Sequence, residues 1–374
     1  MTPDLPRAPL LLVHDESPGL GGSITSLGAL VPFLRRSGWR VEVAALQPEG
    51  WKGEGISPHL LPRRGERIEG TAYFARESVR ALDLRSLCRT LQPDVLLANN
   101  GPVANLSTHL AGRLLGVPVA QYVRGPFHPS RLAGRVLRSA AAIFTVGDEA
   151  TRQVAATGRT APEQIDEGLD PGRWPAPHDP FARDWLWNSA LVGWKGLPLL
   201  LEAYRRVGAE APRLHVCYAA HPAGHPDAVV PPAHVPQGVT LHPSPDDLAA
   251  IRSRCLVYVH TALRPEPFGR SLLEAMTAGL CPVVPHAGTP GKLVRHLENG
   301  LSYPPGSVEG LTGELRRAAR DPDLCARLGA RAALDARAYR ADRVFQPVLA
   351  VLERIRSERV ARTVPIRNEM ATEE

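Results

Sequence analysis

The chain is short of lysine. Its 374 residues carry 44 lysines and arginines together, but the lysines are only three: Lys52, Lys195 and Lys292. An ammonium is a compact point charge and a guanidinium a planar fork, so the two are not interchangeable. In an arginine-rich chain each lysine is a position to explain. Long apolar runs are also missing. None approaches the roughly 18–20 residues of a membrane span. The first run, residues 10–13, is too short for a signal-peptide core and has no small-residue cleavage site after it. The cysteines (Cys88, Cys217, Cys255, Cys281, Cys325) are odd in number and scattered, with no Cys-x-x-Cys. That excludes a disulfide framework or a zinc ribbon and predicts buried thiols in a reducing compartment. Aromatics make up 5% and no RNA or DNA signature is present, so nucleic-acid binding has no support. The expectation is a cytoplasmic protein.

What is present is an ordinary globular composition, 44% hydrophobic and 22% charged, with length for two domains. The net charge is +6, and nearly all the excess falls within residues 1–165. Such a surplus suits peripheral contact with anionic lipid or an anionic substrate. It equally suits a solvated surface.

Apolar runs alternate with amphipathic stretches. Strands are expected at 10–14, 40–45, 94–98, 117–123 and 142–146, and helices at 23–36, 73–91, 103–115, 132–139 and 148–156. Residues 47–70, rich in Pro, Gly and charge, are expected to form a long loop. Residues 158–180 carry seven Pro or Gly after Gly158 and break the pattern as a linker. The alternation then restarts, with strands at 185–192, 214–218, 239–242, 256–260 and 281–285. Helices are expected at 197–207, 246–252 and 270–278, and from 308 to 355. Near-continuous apolar strands separated by helices predict parallel sheets covered on both faces. The expectation is therefore α/β, with two Rossmann-like doubly wound parallel-sheet domains facing across a cleft. The first covers 1–165 and the second 166–374, with a helix at about 340–360 packing back on the first. Ligands in such sheets bind at the carboxyl ends of the strands.

The strongest chemical signal runs from Arg264 to Gly279, Arg-Pro-Glu-Pro-Phe-Gly-Arg-Ser-Leu-Leu-Glu-Ala-Met-Thr-Ala-Gly. Gly269, Arg270, Ser271 and Leu272 stand at a helix start, where free N–H groups and the helix dipole favour an anion. Glu274 lies one turn further in and Glu266 just before the turn. Carboxylates there suit sugar hydroxyls, but spacing alone leaves equal room for a dipole-stabilising Glu274 and a solvated Glu266. Lys195 sits between a strand and a helix, beside Gly196, where an ammonium suits a phosphate.

The weaker signals have plainer readings. Gly19-Leu-Gly-Gly22 is an incomplete dinucleotide loop. Asp321-Pro-Asp323 matches a metal-binding Asp-x-Asp, but Pro322 at a first helical position favours an N-cap. His221 and His225 have zinc-ligand spacing but are interrupted by prolines. Arg131, Arg135 and Arg138 share one helix face, first a solvated face and second a group able to meet lipid phosphates. No metal and no bound cofactor is expected.

The Glu-x7-Glu pair with its Phe-Gly, followed by Glu-Ala-Met-x-x-Gly and an apolar strand, resembles the retaining nucleotide-sugar glycosyltransferases of family 4 (glycosyl transferases group 1), which have the GT-B fold. Gly21-Gly22-Ser23, Trp194-Lys195-Gly196 and Glu298-Asn-Gly-Leu301 resemble further motifs of that family. The resemblance implies that Glu274 binds the ribose and that Glu266 contacts the donor sugar. It implies that Phe268, Gly269, Arg270, Ser271 and Leu272 hold the sugar and diphosphate, and that Lys195 neutralises the leaving group. Gly22 would admit the phosphate and acceptor. Together these imply metal-independent transfer, with retention, from a nucleoside-diphosphate sugar to a glycan, lipid-linked or small-molecule acceptor. His14, Asp15 and His128 are candidate acceptor contacts. The alternatives are a sugar-nucleotide epimerase on the same fold and a non-catalytic sugar-nucleotide binder.

The chain also departs from the family. The usual Arg before the Lys-Gly motif is absent, and Arg270 is a candidate substitute. Arg124 stands where a His is common. Glu167-Gly-Leu-Asp170 replaces Asn-Gly-x-Asp, and Lys292 replaces a Glu.

Overall fold

The structure, a computed structural model, describes residues 7–16, 22–48, 50–51, 54–62, 71–158, 162–170, 177–219, 227–245 and 247–363. Gly21, Lys52, His221 and His225 lie outside the described residues.

The first sheet is built from β1 (Leu10–Asp15), β2 (Arg40–Ala45), β3 (His59–Leu60), β4 (Val95–Asn99), β5 (Val119–Val123), β6 (Ala142–Thr145) and β7 (Glu163–Gln164). Its helices are α1 (Gly22–Arg36), α2 (Thr71–Leu91), α3 (Leu106–Leu115), α4 (Arg131–Ser139) and α5 (Asp148–Ala155). The second sheet comprises β8 (Asp184–Ala190), β9 (Leu214–Ala219), β10 (Val239–Pro243), β11 (Cys255–Val259), β12 (Cys281–Pro285) and β13 (Leu301–Tyr303). Its helices are α6 (Leu197–Val207), α7 (Leu248–Ser253), α8 (Arg270–Thr277), α9 (Gly288–Leu293), α10 (Val308–Arg320) and α11 (Pro322–Ala336). After these come α12 (Ala341–Val344) and α13 (Gln346–Thr363).

The strand orders are β3-β2-β1-β4-β5-β6-β7 and β10-β9-β8-β11-β12-β13, with every described ladder between named strands parallel. Each sheet winds outward from its first strand and then reverses. The topological switch points therefore fall between β1 and β4 and between β8 and β11, where doubly wound sheets open a crevice. β1 and β4 are buried along their whole length, as strands covered on both faces must be.

Most expected elements are present within a few residues. Four short pieces were not foreseen. β3 lies inside the stretch expected to be loop, β7 lies inside the linker, and α9 and β13 fill what periodicity left blank. Strands of two or three residues carry no readable alternation. The strand expected at 185–192 ends at Ala190, and residues 193–195 form a 3-10 turn. The side chain of Asp321 accepts the Leu324 N–H at 2.8 Å and Pro322 opens α11, so the Asp-x-Asp segment is an N-cap. All five cysteines are buried free thiols.

Two stretches of chain join the halves side by side. Leu169 N–H donates to Tyr339 O at 2.9 Å, and Ala341 N–H donates to Leu169 O at 2.8 Å. α13 then lies against the first sheet, where Arg359 Nη1 donates to the carbonyls of Pro93 and Asp94, each at 2.8 Å. Phe345 meets Phe33 of α1 with ring centroids 6.0 Å apart.

The second core closes around Trp185, Trp187 and Tyr204, with α11 pressed on the entry to β12. At that crossing a Cβ on Gly329 would stand 2.0 Å from the Gly279 carbonyl oxygen. Gly329→Ala should therefore destabilise the protein by about 1–3 kcal/mol through overpacking. Gly313→Ala in α10, where a Cβ meets nothing within 4 Å, should be neutral or slightly stabilising. Urea unfolding of both variants checks the contrast, and equal stability would contradict the packing of α11.

Candidate active site

The residues with the clearest chemistry gather at the switch point of the second sheet. Lys195 ends the turn after β8, and Glu266 lies in the loop after β11. Gly196 takes φ +73°, and a Cβ there would lie 2.1 Å from the Thr261 carbonyl oxygen. Only glycine fits both the left-handed backbone and that approach. The Thr261 hydroxyl donates to Lys195 O at 2.8 Å and accepts Trp187 Nε1–H at 2.9 Å. The Lys-Gly turn is thus bound to the loop that carries Glu266.

Lys195 Nζ donates to Glu266 Oε1 at 2.6 Å and stands 4.3 Å from the centroid of the Trp194 ring. His260 Nε2 stands 3.0 Å from the other oxygen of Glu266. Both side chains of the Lys195–Glu266 pair are about 11–12% exposed, which excludes a solvated Glu266. Burial pushes the Glu266 carboxyl up. Lys195 and His260 outweigh it and hold the group down at about 2.

Gly269 caps α8 with φ +94°. The side chains of Phe268 and Leu272 are in the core, with Phe268 edge-on to Tyr339 at 5.6 Å, so those two residues can offer a ligand only backbone. Ser271 Oγ accepts the Tyr258 hydroxyl at 3.0 Å. Arg270 turns back toward the junction of the halves, where Nη1 donates to Gly168 O at 3.2 Å and lies 3.6 Å from Glu167 Oε2. Glu274 is flanked by Arg270 at 3.8 Å and by Arg252 of α7 at 3.6 Å. A carboxylate between two guanidiniums can still accept hydroxyl donors.

The first half faces this group directly. Pro267 packs on Gly147, where a Cβ would stand 2.7 Å from the Pro267 carbonyl oxygen, and faces Gly125, where a Cβ would stand 3.6 Å from the proline ring. Lys292 pairs with Asp148 across the halves. Gly22 is the first residue of α1, with open space beside it.

The candidate acceptor residues divide. His128 is exposed in the loop between β5 and α4. His14 and Asp15 are buried, contrary to the expectation of direct acceptor contact. His14 Nδ1 pairs with Thr108 Oγ1 at 2.7 Å, and burial with the nearby Arg80 charge pushes its pKa down to about 3. Asp15 accepts from the side-chain amides of Asn99 and Asn100. Residues at the end of an inner strand of a parallel sheet alternate between the two covered faces, which buries them.

Other charged groups were not singled out from the sequence. Glu16 accepts from Arg80 at 2.5 Å and Ser107 at 3.2 Å, and burial together with Glu77 raises its pKa to about 7. His260, Glu167 and Arg252 were also missed as partners. The partners of Arg252 and Glu167 are distant in sequence, whereas His260 lies close to Glu266 in the chain and only its position at a strand end hinted at a role.

Two family models match the chain: a glycosyl transferase 4-like domain over residues 21–166 and glycosyl transferases group 1 over residues 234–335. The chain belongs to the glycosyl transferases group 1 family. Its two parallel-sheet domains have the GT-B fold of solved glycosyltransferases. HepE from Anabaena, solved with UDP and glucose, is similar with TM-score 0.75 and 19% identity over 92% of this chain and 99% of that one. A glycosyltransferase from Rickettsia africae gives 0.75 and 12% over 93% and 98%. Sucrose-phosphate synthase from Thermosynechococcus elongatus gives 0.70 and 15% over 96% and 100%. No curated protein matches in sequence. No described helix is long and apolar enough to cross a membrane.

The depressed Glu266 pKa fixes a pH dependence. A carboxyl with a lower pKa folded than unfolded contributes stability above its unfolded value, near 4.5, and loses it as pH falls toward about 2. The contribution is on the order of 3 kcal/mol. Glu266→Gln should be less stable than wild type at pH 7, with the gap closing as pH drops below 4.5. Urea unfolding at pH 7, 4.5 and 3 measures the gap, and a constant one would exclude this role for the pair.

Proposed function

We propose that this glycosyltransferase moves a sugar, with retention and without a metal, from a nucleoside diphosphate bound mainly by the second half. The Lys195–Glu266 pair carries the reading. It places an ammonium and a carboxylate together at a switch point, beside the N-terminus of α8. Glycosyl transfer passes through an oxocarbenium-like state while negative charge grows on the departing diphosphate. Lys195, Arg270 and the first N–H groups of α8 supply positive charge fixed in advance, which lowers the barrier without reorganisation. Glu266 holds Lys195 in place and offers an oxygen to donor-sugar hydroxyls, and Glu274 offers one to the ribose. With no carboxylate assigned as a covalent nucleophile, the acceptor oxygen attacks on the face the diphosphate leaves, and its proton passes to the leaving phosphate. Closure of the halves excludes water.

UDP is the first nucleotide to try, because HepE was solved with it. Thermal shift with UDP, GDP and ADP identifies the base, since a ligand of the native state raises its melting point. Lys195→Ala should then raise the barrier by roughly 2–4 kcal/mol, seen in kcat more than in donor binding. EDTA should leave transfer intact. Near wild-type turnover in the variant would remove Lys195 from the mechanism. Donor turnover without any acceptor would point to an epimerase, and nucleotide binding without turnover to a sugar-nucleotide binder.

One cluster of basic residues lies on the side of α4. Arg131, Arg135 and Arg138 are exposed on α4, beside an open groove of about 820 Å³ with Arg113 and Arg362 at its edge and Leu110 and Val136 in its lining. We propose that this side meets an anionic bilayer, each exposed Arg contributing about 1 kcal/mol. Arg131→Gln/Arg135→Gln/Arg138→Gln should reduce co-sedimentation with phosphatidylglycerol vesicles while leaving nucleotide binding unchanged. Equal sedimentation of variant and wild type would dismiss the contact.

A further inference from the structure

Glu167 stands where the chain passes from one half to the other, two residues before the bridge between Leu169 and Arg340. It is 5% exposed. Its Oε1 accepts from Arg124 Nη1 at 3.3 Å, and its Oε2 lies 3.6 Å from Arg270 Nη1. Arg124 comes from the end of β5 in the first half, and Arg270 opens α8 in the second. One carboxylate therefore holds one guanidinium from each half.

Both arginines are fixed on other sides as well. Arg124 Nε donates to Asn99 at 2.6 Å, its Nη1 also donates to Ser26 at 2.7 Å, and its guanidinium stacks 3.5 Å from the Tyr122 ring centroid. Gly125, the next residue, faces Pro267 of the donor loop, where a Cβ on the glycine would come within 3.6 Å of the proline ring. Arg270 has a competing anion in Glu274, 3.8 Å away. Arg270 Nη1 also donates to Gly168 O at 3.2 Å, but without Glu167 the only carboxylate within 4 Å of the guanidinium among the described residues would be Glu274, and the guanidinium would be drawn over a carboxylate the ribose needs. Stability alone does not explain such a group, because a buried ion cluster is often no more stable than apolar packing of similar volume.

We infer that Glu167 is a positioning residue that holds Arg270 toward the donor diphosphate and away from Glu274, and that it clasps the halves through Arg124. The inference rests on the proposed role of Arg270 at the diphosphate. It sets the order of events: Arg270 is presented correctly only when β5 and α8 are brought together on the shared carboxylate.

The sign of one measurement separates this from a bystander role. A carboxylate near an anion site repels the anion, so removing a bystander charge should tighten UDP binding. If Glu167 positions Arg270, removing it should weaken binding. Calorimetry with UDP and melting points would be compared for wild type, Glu167→Gln, Glu167→Asp, Arg270→Gln and Arg124→Gln/Glu167→Gln. Glu167→Gln is expected to lose about tenfold in UDP affinity, and Glu167→Asp, which keeps the charge, to recover part of it. The double variant removes the orphaned Arg124 charge. It should regain melting temperature but stay weak for UDP. Tighter or unchanged binding in Glu167→Gln overturns the inference. So does full recovery of affinity in the double variant, which would leave Glu167 as a neutraliser of Arg124 alone. If Arg270→Gln is impaired while Glu167→Gln is not, the clasp falls and the donor reading stands. If neither is impaired, or if wild type binds none of UDP, GDP and ADP, both fall.

Discussion

The buried ion pair between Lys195 and Glu266 is the constraint on which the cleft depends. Two charges 2.6 Å apart with little solvent are costly to desolvate, and removing either would leave the other buried without its partner. The fold supplies that partner geometrically. β8 and β11 are hydrogen-bonded neighbours at a switch point, so the turns that leave them rise side by side. The Thr261 hydroxyl then binds the two turns to each other, and Gly196 permits the approach. An ammonium held in this way does not have to be reorganised when a diphosphate arrives, which is the condition for electrostatic catalysis. It also has to be shared between its carboxylate and the incoming anion.

The two halves meet through contacts of several kinds. Pro267 sits on two glycines of the first half, and any side chain at Gly147 would hold the donor loop off. Lys292 and Asp148 pair on the rim, half-exposed, where an ion pair contributes little energy but favours one alignment. The two chain crossings are hydrogen-bonded to each other, and α13 anchors the return strand of chain on β4 and β6. Rigid linkage at the crossings with lighter contacts at the rim is the arrangement expected of two bodies that hinge. Charged contacts at the rim can exchange with solvent, whereas the paired crossings cannot be separated without breaking backbone hydrogen bonds.

Much of this was legible in the sequence for local reasons. Buried parallel strands announce themselves as apolar runs, and Phe-Gly before a run of helix formers marks the start of α8. Lys195 stood out because the chain otherwise avoids lysine. What stayed hidden depends on distant partners. Arg124 and Glu167 were each visible as departures from the family pattern, but nothing in the sequence showed that they touch. Lys292 and Asp148, 144 positions apart, gave no sign of pairing. His14 and Asp15 looked available because they end a strand near a glycine-rich turn. Their side chains instead find Thr108, Asn99 and Asn100 on neighbouring elements, and strand position alone does not report that.

The scarcity of lysine takes on a physical meaning at the site. Where planar contact or several donors are wanted, the chain uses arginine: Arg124 stacks on Tyr122 while its nitrogens reach Asn99, Ser26 and Glu167. At position 195 the need is different. The charge must fit between the Glu266 oxygen and the face of Trp194, 4.3 Å from the ring centroid, at the end of a tight turn. A guanidinium is broader, and its fork would engage Glu266 through two nitrogens and hold it more firmly. An ammonium has three donors around a point, so it can keep one on Glu266 and turn another toward a phosphate. The lysine is retained where one charge must serve two partners in turn, and arginine serves where the partners are fixed.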